Sequence, residues 1–213
     1  MTKFNCLSAR NPSAMAIAPN TEIVPKVPIW RFSVAQYHAM IRKGILDEDD
    51  PVELREGWLV TKAPKTPPSC LSTGLAREAI ASLLSQGYFV DTHEPFTTDD
   101  SEPEPDVMVV KGERRDFLQR HPHGDEVELI VEVADASLSR DRKLKRRLYA
   151  RVGVPVYWII NLNKRQVEVY AEPTGAGEKA DYRVRRDYQE GDEIPLLLAG
   201  REIARVSVNA LLP

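Results

Sequence analysis

Residues 127–160, VELIVEVADASLSRDRKLKRRLYARVGVPVYWII, decide how this chain folds. The run VELIVEV is apolar and of strand length, which fits a central strand covered on both faces. ASLSRDRKLKRRLYARVG then reads as a basic amphipathic helix. Leu138, Leu144, Leu148 and Val152 face inward, Ser137 or Ser139 caps it, and Gly153 stops it. VPVYWII is a second buried strand. A strand, a helix and a strand in this order form a βαβ unit, so the two strands should be parallel with a right-handed crossover. QVEVYAEP, residues 166–173, continues as an antiparallel neighbour.

Working outward, Ser33 caps a short helix carrying Val34, Tyr37, Met40 and Ile41 on one face, with Gly44 at its end. VELREGWLV places apolar residues either side of Glu56-Gly57, the pattern of a tight hairpin. KAPKTPPS reads as a loop, because its prolines forbid regular pairing. Residues 70–86 are spaced as a helix through Leu71, Leu75, Ala79, Leu83 and Leu84, stopped by Gly87. YFVDT and DVMVV are strands, EPFTTDDSEPEP is extended loop or edge, and residues 111–126 look like surface. Beyond 173 the chain reads as short strands around Gly191 and Gly200. Residues 1–27 have little periodicity and read as a mobile tail, leaving 28–213 as a single α/β domain.

The totals narrow the function. A chain of 213 residues can bury a core without disulfides or a structural metal. Its two cysteines, Cys6 and Cys70, lack ligand-like spacing and read as free thiols of a reducing cytoplasm. A net charge of −3 excludes a globally basic nucleic-acid binder, so any such contact needs a local patch. No apolar run is long enough for a membrane span, and the first twenty residues show no apolar stretch of a secretory signal; both point to a cytoplasmic protein.

Three residues stand out chemically. Glu132 shares a strand face with Ile130, while Leu129, Val131 and Val133 point the other way. A carboxylate inside a doubly covered strand is costly to desolvate and needs a cation, donors or a wet cleft. Its structural alternative is an ion pair with the next helix. Asp106 opens the strand DVMVV directly after PEP and shares its face with Met108 and Val110; the alternative is an Asp that simply accepts from loop amides. Two such carboxylates on neighbouring strands would make a hard-oxygen site suited to Mg²⁺ or Mn²⁺. Lys145 falls with Asp141 and Tyr149 at i, i+4, i+8 on one helix face. It either reaches back to Glu132 and the metal or makes a surface pair with Asp141.

PEPD, then VEV, then DxxxK with Tyr149, then GVPVYWIIN resembles the "Uma" family of restriction endonucleases, of the PD-(D/E)XK nuclease superfamily. The resemblance runs from about Phe32 to Tyr170 and includes the ELREG hairpin and the PKTPP loop. It implies a restriction-endonuclease-like central mixed sheet flanked by helices, with an N-terminal helix and hairpin. It also implies metal ligands at Asp106 and Glu132. The superfamily lysine, two residues after the second acid, is replaced here by Ala134, which points to Lys145, with Lys143 the weaker substitute. Glu53 matches an early family glutamate and joins the expected catalytic set, with Glu56 its rival. Family members often carry a His at the start of the helix after the proline loop, where this chain has Ser69.

These features imply a Mg²⁺- or Mn²⁺-dependent endonuclease acting on DNA. Arg142, Lys143 and Arg146, on the basic helix, are the expected phosphate contacts, against the alternative of a solvated charged face. Cutting both strands needs two sites, for which a homodimer would serve. The competing expectation, favoured by Ser69 and the broken ExK, is a catalytically impaired nucleic-acid-binding or assembly module of the same fold.

Overall fold

The computed structural model describes residues 27–47 and 49–213. The chain divides into residues 1–30 and a folded unit, Arg31–Pro213. The expected mobile tail falls almost wholly on residues 1–26, outside the described residues, as does Cys6. Cys70 is free and exposed.

The folded unit runs α1 (Val34–Arg42), β1 (Val52–Arg55), β2 (Trp58–Thr61), α2 (Pro67–Ala81), β3 (Tyr88–Asp91), β4 (Val107–Lys111) and β5 (Val127–Ala134). A helix over residues 138–151, α3, leads to β6 (Val156–Asn161), β7 (Gln166–Pro173), β8 (Tyr182–Gln189), β9 (Glu193–Leu198) and β10 (Arg201–Ser207). Strands β3 to β8 form one six-stranded sheet in chain order. Its β5–β6 pair is parallel and its other neighbours are antiparallel. This is the mixed sheet expected for the βαβ unit. Among the described residues no helix is long and apolar enough to cross a membrane.

The sheet's two faces bury different things. Leu129, Val131, Val133, Trp158 and Ile160 pack with Ala76 and Ile80 of α2 and with Ile194, Leu196 and Leu198 of β9 in a wholly apolar layer. The opposite face carries Ile130, Met108 and Leu148 together with Tyr149, Tyr157, Tyr170 and Tyr182. Alternation along β5 sends Glu132 to this second, tyrosine-rich face. Each fully buried aliphatic side chain contributes roughly 1.5–3 kcal/mol, so the apolar layer is a large stabilising term for the sheet.

The hairpin turn between β1 and β2 has Glu56 at φ 47° and Gly57 at φ 78°. This left-handed pair matches the twist of a two-residue hairpin. A Cβ on Gly57 would also lie 2.5 Å from Cβ of Arg31, so glycine is required there twice over.

Two local expectations are corrected. Helix α2 begins at Pro67, inside the stretch read as loop, because proline suits a first helical turn whose N–H groups lack partners. Thr66 and Ser69 close a capping box there, and α2 ends at Ala81, with Leu71 exposed and Ser72, Thr73, Ala76 and Ile80 buried. In α3, residues Asp141–Lys145 are wound as a π-turn. The wider turn changes which residues face the sheet. Leu144, expected inside, is 55% exposed, and Asp141 is 1% exposed.

Candidate functional site

Asp106 ends the proline-stiffened approach to β4. Its Oδ2 accepts the Val133 N–H at 2.8 Å, extending the β4–β5 ladder by one side-chain rung. Oδ1 accepts no hydrogen bond among the described residues; Nδ1 of His93 lies 3.6 Å away.

Glu132 is 2% exposed. Its Oε2 lies 2.6 Å from Nζ of Lys145, and its Oε1 accepts the Tyr149 hydroxyl at 2.6 Å. Lys145 Nζ is also 3.7 Å from Oδ1 of Asp141. The i, i+4, i+8 face of α3 therefore closes over Glu132. Asp141 is fixed from behind, since its Oδ2 accepts the Ser137 hydroxyl at 2.5 Å and its carbonyl accepts the Tyr157 hydroxyl at 3.3 Å.

The electrostatics follow from this crowding of two carboxylates around one ammonium. Burial pushes Glu132 up to about 7, helped by the nearby Asp106 charge and opposed by Lys145. Burial likewise raises Asp141 to about 6. Burial works against the Lys145 ammonium, but Glu132 and Asp141 hold its pKa above the ordinary lysine value. The two acids thus keep Lys145 charged, while burial makes their own ionisation costly.

Glu53, on β1, is buried. Its Oε2 accepts the Glu104 N–H at 2.9 Å and its Oε1 pairs with Arg55. Nε of Arg55 is buried without a partner. Glu53, Arg55, Asp106, Glu132, Asp141 and Lys145 line one cleft of about 610 Å³. Glu56, the rival glutamate, is elsewhere, paired with Arg147. A larger cleft of about 960 Å³ contains neither Asp106, Glu132 nor Lys145, and its Arg147 and Arg151 are committed to Glu56 and Asp100.

The expected phosphate contacts lie off this cleft. Arg142 pairs with the buried Glu168, Arg146 with Asp181, and Lys143 is exposed. Besides Arg55 and Lys145, the cations on the cleft wall are Lys62, Lys65 and Arg140, with Lys62 held 2.7 Å from Glu104. Ser69 also lines the cleft, but its hydroxyl is spent on Thr66 O at 2.8 Å.

Sequence reasoning missed His93, Arg55 and the inward turn of Asp141. His93 has φ 57°, a left-handed value that histidine tolerates better than most side chains, but nothing in the spacing betrays it. Burial, with Lys65 and other lysines nearby, lowers its pKa.

A mixed sheet flanked by helices, with paired acids and a lysine at one cleft, defines a chain of nuclease-like fold. Residues 34–207 match the Uma2 family, described as "Putative restriction endonuclease", and the chain belongs to that family. Among solved structures it is similar to "a putative nuclease belonging to DUF820 from Anabaena variabilis ATCC 29413", at 16% identity and TM-score 0.61, covering 79% of this chain and 94% of that one. No curated protein matches it.

Proposed function

We propose that this chain is a divalent-metal-dependent endonuclease that hydrolyses DNA phosphodiester bonds at the Asp106–Glu132–Lys145 cleft. The observation carrying this reading is the 2.6 Å contact of Lys145 with Glu132, beside Asp106, among residues brought together from the approach to β4, from β5 and from α3. The family membership supports the nuclease class.

The donor set suits Mg²⁺ or Mn²⁺. Two hard-oxygen carboxylates line the cleft, and Asp106 Oδ1 is free of hydrogen bonds among the described residues. Among the described residues no three His, Cys, Asp or Glu groups already form a metal cage. Asp106 and Glu132 would hold the ion, with water, substrate oxygens and any further donor of the cleft completing its shell. A bound cation there supplies Lewis-acid polarisation of the phosphoryl group and a lowered pKa for water.

The protein's own part is electrostatic and positional. Lys145 Nζ, gripped by Glu132 and Asp141, donates to a water or phosphoryl oxygen entering the cleft and stabilises charge building there. Tyr149 donates to Glu132 Oε1 and holds that carboxylate's orientation. Glu53 fixes Arg55, which adds positive charge to the wall. Lys62, Lys65 and Arg140 draw the phosphate backbone toward the cleft.

The test compares wild type with Asp106→Ala, Glu132→Ala and Lys145→Ala on plasmid and oligonucleotide DNA with Mg²⁺ or Mn²⁺. Each substitution should lower cleavage by ~10²-fold or more. Equal cleavage by all four proteins would sink the enzyme reading. One observation favours the catalytically impaired binding module: Lys145 and Tyr149 together engage both oxygens of Glu132. DNA binding by wild type without cleavage under any divalent ion would select that module.

A further inference from the structure

His93 lies two residues after β3, on the connection that leads to the prolines before Asp106. Its backbone is held at φ 57°, and its N–H donates to Pro105 O at 3.1 Å. Val133 N–H clamps Asp106 Oδ2, so Asp106 Oδ1 is left facing the imidazole. The separation of Nδ1 and Oδ1, 3.6 Å, is too long for a hydrogen bond between them. It is close to the separation of two ligands on one ion: donor atoms each about 2.1 Å from a common metal stand roughly 3.0–3.4 Å apart. His93 and Asp106 line the same cleft as Glu132.

Resting on the metal-dependent reading of this cleft, we propose that His93 Nδ1 is a nitrogen ligand of the ion held by Asp106 and biases the site toward Mn²⁺ over Mg²⁺. Mg²⁺ favours oxygen ligands, whereas imidazole suits the transition ions. The ion is thereby selected by a residue two positions after β3, outside the acids that carry its charge.

The test titrates the full chain with MnCl₂ and MgCl₂ by calorimetry and follows the histidine rings by NMR. The four imidazoles, His38, His93, His121 and His123, supply internal controls. Substoichiometric Mn²⁺ should broaden the His93 ring before the other three. His93→Asn, which the left-handed backbone accepts, should weaken Mn²⁺ by at least ~10-fold and Mg²⁺ much less. His93→Gly, also accepted there, repeats the measurement without a polar side chain. If Asp106→Ala abolishes binding while both His93 variants keep wild-type affinity for both ions, the acid site stands and the nitrogen ligand is overturned. Equal loss of Mg²⁺ and Mn²⁺ also overturns it. Failure of wild type to bind either ion overturns the metal-dependent reading itself, and His93's role with it.

Discussion

The chain contains the triplet Val-Glu-Val twice, at 131–133 in β5 and at 167–169 in β7. Both glutamates are buried on the tyrosine-rich face, and the register aligns each with Ile159 of the intervening strand β6. Their surroundings differ. Glu168 receives Arg142, Tyr170, Asn161 and Gln166, with Arg185 3.2 Å away. Burial opposes its charge, but the hydrogen bonds from Arg142, Tyr170 and Asn161 outweigh that and bring it down to about 2. Glu132 receives one lysine and one tyrosine, and burial takes it up to about 7. One carboxylate is saturated with donors and ties α3 and β8 to the sheet. The other has one donor on each oxygen and lines a cleft. A buried acid becomes a site by what its neighbours leave undone.

The largest expected effect is on the saturated member. Glu168→Ala strands the amide groups of Asn161 and Gln166 and removes the counter-charge of Arg142 and Arg185. It should cost about 3–5 kcal/mol in urea denaturation. A loss below ~1 kcal/mol would break the contrast by showing that Glu168 is not structural.

The pH dependence of the two acids should have opposite signs. Glu132 is raised from 4.5 to about 7, so the folded protein keeps its proton longer than the unfolded chain does. In metal-free protein its contribution is fully present below 4.5 and is lost as pH rises toward about 7, by roughly 3 kcal/mol. Glu168 is lowered from 4.5 to about 2, so its stabilisation is present above 4.5 and is lost as pH falls toward about 2. Glu132→Gln should flatten the first slope, leaving only the share that Asp141, raised to about 6, contributes, and should leave the second unchanged. Denaturation curves between pH 3 and 8 decide it: an unchanged fall between pH 5 and 7 in Glu132→Gln would assign that slope elsewhere.

The smallest effects sharpen the comparison. Tyr149→Phe removes one of the two donors to Glu132 among the described residues. It should cost ~1 kcal/mol at pH 8 and shift the Glu132 carboxyl titration upward, read by carbon NMR. Tyr170→Phe removes one donor among several at Glu168, and should move that titration less. Equal shifts at the two carboxylates would contradict the difference in saturation.

Much of the fold was legible because burial writes itself into periodicity. VELIVEV and VPVYWII are continuous apolar runs at β5 and β6, and the helical segment between them demanded their parallel pairing. Ser33 and the pair Glu56-Gly57 marked a helix start and a hairpin through local backbone chemistry. Asp106, Glu132 and Lys145 could be nominated in the same way, as charges interrupting or flanking apolar patterns, and they line one cleft.

Tertiary structure alone decided the rest. The two Val-Glu-Val triplets are identical, and although Tyr170 and Gln166 stand two residues from Glu168, the remaining donors that distinguish it come from α3, β6 and β8. The arginines of α3 read as a free basic stripe until Glu168, Asp181, Glu56 and Asp100 arrive to pair with them. The π-turn that buries Asp141 and the placing of His93 beside Asp106 depend on packing between distant segments. Apolar pattern and backbone preference act over a few residues and are carried by the sequence itself. The protonation and partnership of a buried charge are set by every group within a few ångströms, and those groups are chosen by the fold.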